Sequence, residues 1–168
     1  MEVRNFIGGK FIDSISKTNI PVVNPANQNI VGHIDEALDN EIDEAFSAAK
    51  IAFNKRTLQD MDATLKSKKM RSIASKLREY KKRGAIILSQ ENGKTIEQCE
   101  GEFDGAASVF DYYAGLTDKI ENKLIPSGND TFNYILLEPF GVSLQIVPWN
   151  YPVSLFARSV AVSLVVGN

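Results

Sequence analysis

Leu144-Gln145-Ile146-Val147-Pro148-Trp149-Asn150-Tyr151-Pro152, followed by the apolar run Val153 to Val166 and then Gly167-Asn168, decides how this chain is read. Val142 to Val147 is apolar at most positions, which predicts a strand buried on both faces of a parallel sheet. Pro148 to Pro152 then breaks the run as a turn. Val153 to Val166 carries few charges and is apolar on all sides, which predicts a buried helix. Gly167 stands where a helix C-terminus favours glycine. A strand, a turn and a helix are the first two parts of a strand–helix–strand unit. The returning parallel strand normally pairs with the first and covers the helix. No such strand follows Asn168 in this sequence. The expectation is therefore an incomplete unit, with an apolar strand edge and a helix face left unpartnered.

Upstream of this stretch the pattern changes twice. Phe6-Ile7, Gly8-Gly9 and Lys10-Phe11-Ile12-Asp13 read as a tight hairpin. Pro21 to Pro25 reads as extended, because Asn24 precedes a proline. Asn27-Gln28-Asn29 is turn-like, and Ile30 to Ile34 predicts a further short strand. Helices follow. Asp39 or Asn40 can cap the first, with Ile42, Ala45, Phe46, Ala49 and Phe53 on one face. The second spans roughly residues 62 to 91, with Ile73, Leu77, Tyr80 and Leu88 facing the core and Gly84 as a candidate interruption. Thr95 caps the third, where Ile96, Cys99, Phe103, Ala106, Phe110 and Tyr113 make one apolar stripe. Gly101 and Gly105 suggest close helix packing on it. A polar connection from Thr117 to Asp130 leads to a second strand-like run, Phe132 to Glu138, stopped by Pro139.

Composition narrows the function classes. The chain has 168 residues, 43% hydrophobic and 24% charged, the balance of an ordinary globular protein. Its net charge of −2 supplies no overall field for nucleic acid or an anionic membrane. The basic runs Lys66 to Arg71 and Lys81-Lys82-Arg83 read as solvated helix faces. One histidine, His33, and one cysteine, Cys99, exclude a clustered His/Cys metal site and an intrachain disulfide. Met1 to Asn5 lacks the apolar core of a signal peptide. The longest apolar stretch is too short for a bilayer and carries Arg158. A cytoplasmic protein is the expectation.

The motifs form an ordered set. Phe6-Ile7-Gly8-Gly9-Lys10-Phe11-Ile12, Val23-Asn24-Pro25-Ala26, Glu91-Asn92-Gly93-Lys94-Thr95, Tyr112-Tyr113-Ala114-Gly115, Glu138-Pro139-Phe140-Gly141-Val142 and the Pro148-Trp149-Asn150-Tyr151-Pro152 turn follow one another along the chain. In that order, with Gly167-Asn168 closing the last helix, they resemble the landmarks of the aldehyde dehydrogenase superfamily. The resemblance implies an α/β fold: the N-terminal portion of a three-layer architecture, with an incomplete Rossmann-type unit at its C-terminal end. It implies residues 1–130 as strands and helices of the cofactor-binding domain, 131–141 as an arm or bridging strand, and 142–168 as the first strand and helix of the dinucleotide-binding unit.

In that family a cysteine thiolate attacks the aldehyde to give a thiohemiacetal, hydride passes to NAD(P)+, and a glutamate base assists hydrolysis of the thioester. The resemblance implies that Asn150 donates its side-chain amide to the oxyanion, a task that preorganised neutral donors suit. It implies that Ile146, Val147, Pro148, Trp149 and Asn150 line the NAD or NADP site, at the carboxyl end of a strand where open α/β sheets bind ligands. On the residues alone, Asn150 is better explained as a turn residue, and Trp149 equally well as core packing. Cys99 lies in an apolar stripe and upstream of the turn, so it reads as a buried structural thiol rather than the nucleophile. Glu91, Glu97, Glu100 and Glu102 read as solvated helix surface. Ser159 and Val162 stand where the family often has lysine and proline, and Arg158 where some members carry arginine, which leaves the aldehyde undecided. The family's nucleophile, base and ribose-holding lysine have no counterpart in this sequence.

Three functions compete. The first is a portion of an aldehyde-oxidising oxidoreductase, inactive by itself, whose substrate in the complete enzyme is a small aldehyde. The second is a truncated interaction module that self-associates, or docks on a missing C-terminal portion, through its exposed strand and helix. The third is an intact small nucleotide-binding protein, which the absence of a glycine-rich phosphate loop opposes.

Overall fold

The computed structural model describes residues 2–16 and 18–168. Met1, where both the leader-peptide reading and the expected 1–130 unit begin, lies outside the described residues. The chain opens with β1 (Glu2–Val3), β2 (Asn5–Ile7) and β3 (Lys10–Ile12). β2 and β3 form the expected hairpin, with Phe6 opposite Phe11 and the two rings edge-on at 5.0 Å. Gly8 and Gly9 turn it at φ +59° and +83°, a left-handed pair that side chains disfavour. β4 (Asn19–Val23) and β5 (Ile30–Asp35) pair antiparallel, and β1 joins the outer edge of β5 in parallel. The turn between β4 and β5 sits at residues 25–27, just ahead of the expected place. Asn24 sets it, accepting from the Ala26 amide through its side chain at 2.9 Å.

Four helices follow in the described chain: α1 (Asp39–Asn54), α2 (Ala63–Asn92), α3 (Ile96–Ala114) and α4 (Pro152–Val166). Between α3 and α4, β6 (Lys123–Ile125) pairs antiparallel with β7 (Asn133–Ile135). α1 begins at Asp39 with Leu38 in the cap position, so neither Asp39 nor Asn40 caps it. Glu41 does that work from inside the first turn, accepting from the Leu38 amide at 2.8 Å. Its carboxylate also accepts from the Ser14 hydroxyl at 2.9 Å and the Ile15 amide at 3.3 Å. These bonds, the Leu38 amide foremost, hold the Glu41 carboxyl below its usual range. α3 is capped by Thr95 as its sequence predicts, and α2 is capped by Asp62. Asp62 accepts from the Leu65 amide at 3.0 Å, and Thr95 exchanges bonds with Gln98 in a reciprocal box. Gly93, at φ +83°, ends α2.

The core lies where α2, α3 and α4 meet. Met70 and Ala74 come from α2, Ala106, Ala107, Phe110 and Ala114 from α3, and Ala157, Ala161 and Val165 from α4. Alanines on all three helices let the backbones approach closely, and Phe110 fills the remaining space. A second cluster joins Ala85 and Leu88 to Cys99.

Several expectations give way to tertiary context. The apolar face of α1 is not core: Ile42 is 55% and Phe46 54% exposed, because α1 rests chiefly on β2. Tyr80 is also exposed, although Leu88 is buried and Ile73 and Leu77 are half-buried. Gly84 does not interrupt α2. It is the true close-packing glycine, since a Cβ there would fall on the Phe103 ring, whereas a Cβ at Gly101 or Gly105 would meet nothing within 4 Å. Lys66 is not a solvated lysine. It is buried, its ammonium donates to the Val165 carbonyl at 3.4 Å, and burial pushes its pKa down.

The C-terminal stretch departs most. Residues 142–147 form no strand, because no segment among the described residues offers them a ladder of backbone bonds. α4 is covered on one face only: Ala157, Ala161 and Val165 are buried, while Phe156, Val162 and Val166 face outward. The run from Phe132 to Glu138 contributes only Asn133–Ile135 as strand, and its partner β6 lies inside the connection read as polar. The apolar side chains of residues 142–147 lie on the surface. Leu144 is 84% and Ile146 86% exposed.

Candidate functional site

The Pro148–Pro152 turn feeds directly into α4. Trp149 and Asn150 make the turn, and Pro152 takes the first helical position, where its fixed φ suits the helix and its missing N–H costs nothing. Pro148, Trp149 and Asn150 are exposed, and Val147 is half-buried. Trp149 is 82% exposed, so it is not packed in the core of this chain. Among the described residues no hydrogen bond engages the Asn150 carboxamide, which leaves both its N–H groups available.

The turn is held from below by the α2–α3 corner. Asn92, the last residue of α2, donates its side-chain amide to the Trp149 carbonyl at 2.8 Å. Lys94, in the link before α3, places its ammonium 3.6 Å from the centre of the Tyr151 ring. The same ammonium pairs with Glu102 of α3, whose carboxylate is 3% exposed. The second oxygen of Glu102 accepts from the Ser154 amide at 3.4 Å, one of the unpaired donors in the first turn of α4. An anion at a helix N-terminus is also favoured by the aligned peptide dipoles.

The structure thus brings together residues that the sequence reading kept apart. Glu102 is buried and paired, not solvated surface, because α3 turns it towards α4. Glu91 and Glu97 do face solvent and Glu100 is half-buried, although desolvation at its inner side raises the Glu91 carboxyl. The signal for this arrangement lay in the segment Glu91 to Thr95, but only as a motif. Nothing in linear order connects it with Trp149. Cys99 is fully buried beneath the same corner. Burial, then the nearby Glu102, pushes its thiol pKa up, which opposes thiolate formation and fits a structural thiol.

At the other end of α4, Gly167 adopts φ +92° and closes the helix through Ser163. The Asn168 side chain then accepts from the Gly141 amide at 3.2 Å, which joins two of the sequence landmarks. An open groove between α3 and α4 is lined by Tyr112, Tyr113, Gln145, Arg158, Ser159 and Val162, and does not include Asn150. Among the described residues no group of three His, Cys, Asp or Glu could hold a metal ion, and no helix is long and apolar enough to cross a membrane.

Residues 11–168 match the family model described as "Aldehyde dehydrogenase family". Aminoaldehyde dehydrogenase 1, peroxisomal, of Pisum sativum is 36% identical over 96% of this chain and 34% of its own length. Aldehyde dehydrogenase family 2 member B4, mitochondrial, of Arabidopsis thaliana is 33% identical over 96% of this chain and 30% of its own length. Among solved structures, betaine aldehyde dehydrogenase from Staphylococcus aureus in complex with NAD+ superposes with a TM-score of 0.93 at 34% identity, over 98% of this chain and 33% of that one. A 3,6-anhydro-L-galactose dehydrogenase in complex with NADP superposes with a TM-score of 0.93 at 25% identity, over 100% of this chain and 35% of that one. The chain therefore spans about a third of the length of the relatives it matches. Its mixed α/β architecture, its ordered motifs and the family match agree: the chain belongs to the aldehyde dehydrogenase family.

Proposed function

We propose that this chain is the N-terminal portion of an oxidoreductase that oxidises an aldehyde to a carboxylic acid with NAD+ or NADP+. Its nucleophilic cysteine and glutamate base are supplied by sequence outside these residues, and the chain alone is inactive. The observation that carries the reading is the free Asn150 carboxamide, presented on a turn whose neighbours Trp149 and Tyr151 are both anchored. A neutral donor fixed before the reaction stabilises an oxyanion without the cost of reorganising at that moment. The dinucleotide, when bound, accepts the hydride. The exposed surface of Ile146 and Trp149, beside Val147, Pro148 and Asn150, fits such a ligand because planar and sugar faces need apolar contact together with a few polar groups. The α3–α4 groove is the approach we assign to the aldehyde.

We further infer the division into residues 1–130, an arm at 131–141 and a dinucleotide unit at 142–168. The cytoplasm is the compartment we propose, supported by the single unpaired cysteine. The test is turnover. The isolated chain should show no NAD(P)-dependent aldehyde oxidation, and turnover that survived Cys99→Ala would overturn the reading. In the complete enzyme, Asn150→Ala should lower kcat by about 10²–10³-fold, the usual loss for one oxyanion donor.

The interaction-module reading draws on a separate observation, the exposed Leu144, Ile146, Phe156 and Val162. It predicts self-association, or binding to a C-terminal portion supplied in trans. A monomer by light scattering at high concentration, with no complex formed on adding that portion, would remove it.

A further inference from the structure

We propose that Glu102 is the positioning residue for the Asn150 amide, acting through Lys94, Tyr151 and the first turn of α4. The inference rests on the reading of Asn150 as an oxyanion donor. Among the described residues the Asn150 side chain has no hydrogen-bond partner, so its direction is set by what holds the residues around it. Trp149 is held through its carbonyl by Asn92, and Tyr151 through its ring by Lys94. Ser154 is held through its amide by Glu102. Glu102 and Lys94 are joined to each other, so two of the three anchors share one ion pair.

The pair is well placed for this work. Glu102 is 3% and Lys94 14% exposed at the side chain, so neither can readily exchange its partner for water. Removing one member leaves the other buried and uncompensated. The freed group then tends to move towards solvent, and its second contact moves with it: the Tyr151 ring for Lys94, the Ser154 amide for Glu102. Both movements would disturb the backbone that carries Asn150. A role confined to joining α3 and α4 would instead loosen both helices together.

Amide hydrogen exchange on the 168-residue chain separates the two cases. Glu102→Gln keeps the shape and removes the charge. It should raise exchange at Ser154 and Leu155, in the first turn of α4, at least tenfold, because their amides donate to Glu102 and to the Tyr151 carbonyl, while the amides of Ala106 and Phe110 in α3 stay within twofold. Lys94→Met should reproduce this pattern, the double variant should be no worse than either single one, and Lys94→Arg should restore protection. Unchanged exchange at Ser154 and Leu155, or equal loosening along α3, would overturn the inference. Should Glu102→Gln fail to fold, the Lys94→Met and Lys94→Arg pair decides alone. In the complete enzyme Glu102→Gln should lower kcat and leave the dinucleotide KM in place. If Asn150→Ala left kcat unchanged there, the oxyanion reading would fail, whatever the exchange data on α4.

Discussion

Replacing Phe110 by alanine tests whether α2, α3 and α4 form one core. Phe110 is 1% exposed and is the largest side chain in a cluster otherwise rich in alanine. Phenylalanine-to-alanine changes in cores cost about 3–5 kcal/mol, and the cost depends on how far neighbours collapse into the cavity. Here six of the other cluster members, Ala74, Ala106, Ala107, Ala114, Ala157 and Ala161, have no side chain that can swing inward, which leaves chiefly Met70 and Val165 to fill the space. The loss should therefore lie in the upper half of that range, about 4 kcal/mol. Urea denaturation followed by circular dichroism measures it. With a urea slope of about 2 kcal/mol per molar, within the range for small proteins, the midpoint should fall by about 2 M. Phe110→Leu fills most of the cavity and should lose less than half as much. A shift below about 0.5 M for Phe110→Ala, under the same assumed slope, would refute the three-helix core as the main source of stability.

Three other perturbations have opposite or pH-dependent signs. Gly101→Ala should stabilise the chain by about 0.5–1 kcal/mol, because it sits mid-helix with open space around its Cβ position. Gly84→Ala gains the same propensity but meets the Phe103 ring, and overpacking of about 1–3 kcal/mol should make it net destabilising in thermal melts. Lys66 has a folded-state pKa below its ordinary 10.5, so the unfolded chain binds its proton more tightly. Stability should therefore rise with pH through the window ending near 10.5, and Lys66→Met should lack that rise. Equal slopes for the two proteins in pH-dependent urea titrations would refute the burial of this charge.

Local chemistry was readable wherever a residue acts on its own neighbours. Gly8 and Gly9 announce a hairpin because only glycine takes that turn cheaply, and the structure has one there. Thr95, Gly93 and Gly167 mark helix ends because caps are made within a few residues of the chain. The stripe of Cys99, Phe103, Ala106 and Phe110 identified the inner side of α3 for the same reason.

Which apolar face finds a partner is a question of neighbours in space. Ile42 and Phe46 look as core-like in sequence as Phe110, yet among the described residues both stay more than half exposed. Residues 142–147 have strand composition but no strand, since a ladder needs a second segment to supply its bonds. Glycine spacing suggested Gly101 and Gly105 as the close contacts, but the crossing of α2 and α3 puts the contact at Gly84. The motifs of this sequence determined the family and singled out Asn150. Only the tertiary structure placed Asn92, Lys94 and Glu102 beneath it, because their links to the turn and the first turn of α4 run through space between residues 52 to 57 positions apart, a separation across which no sequence periodicity carries information.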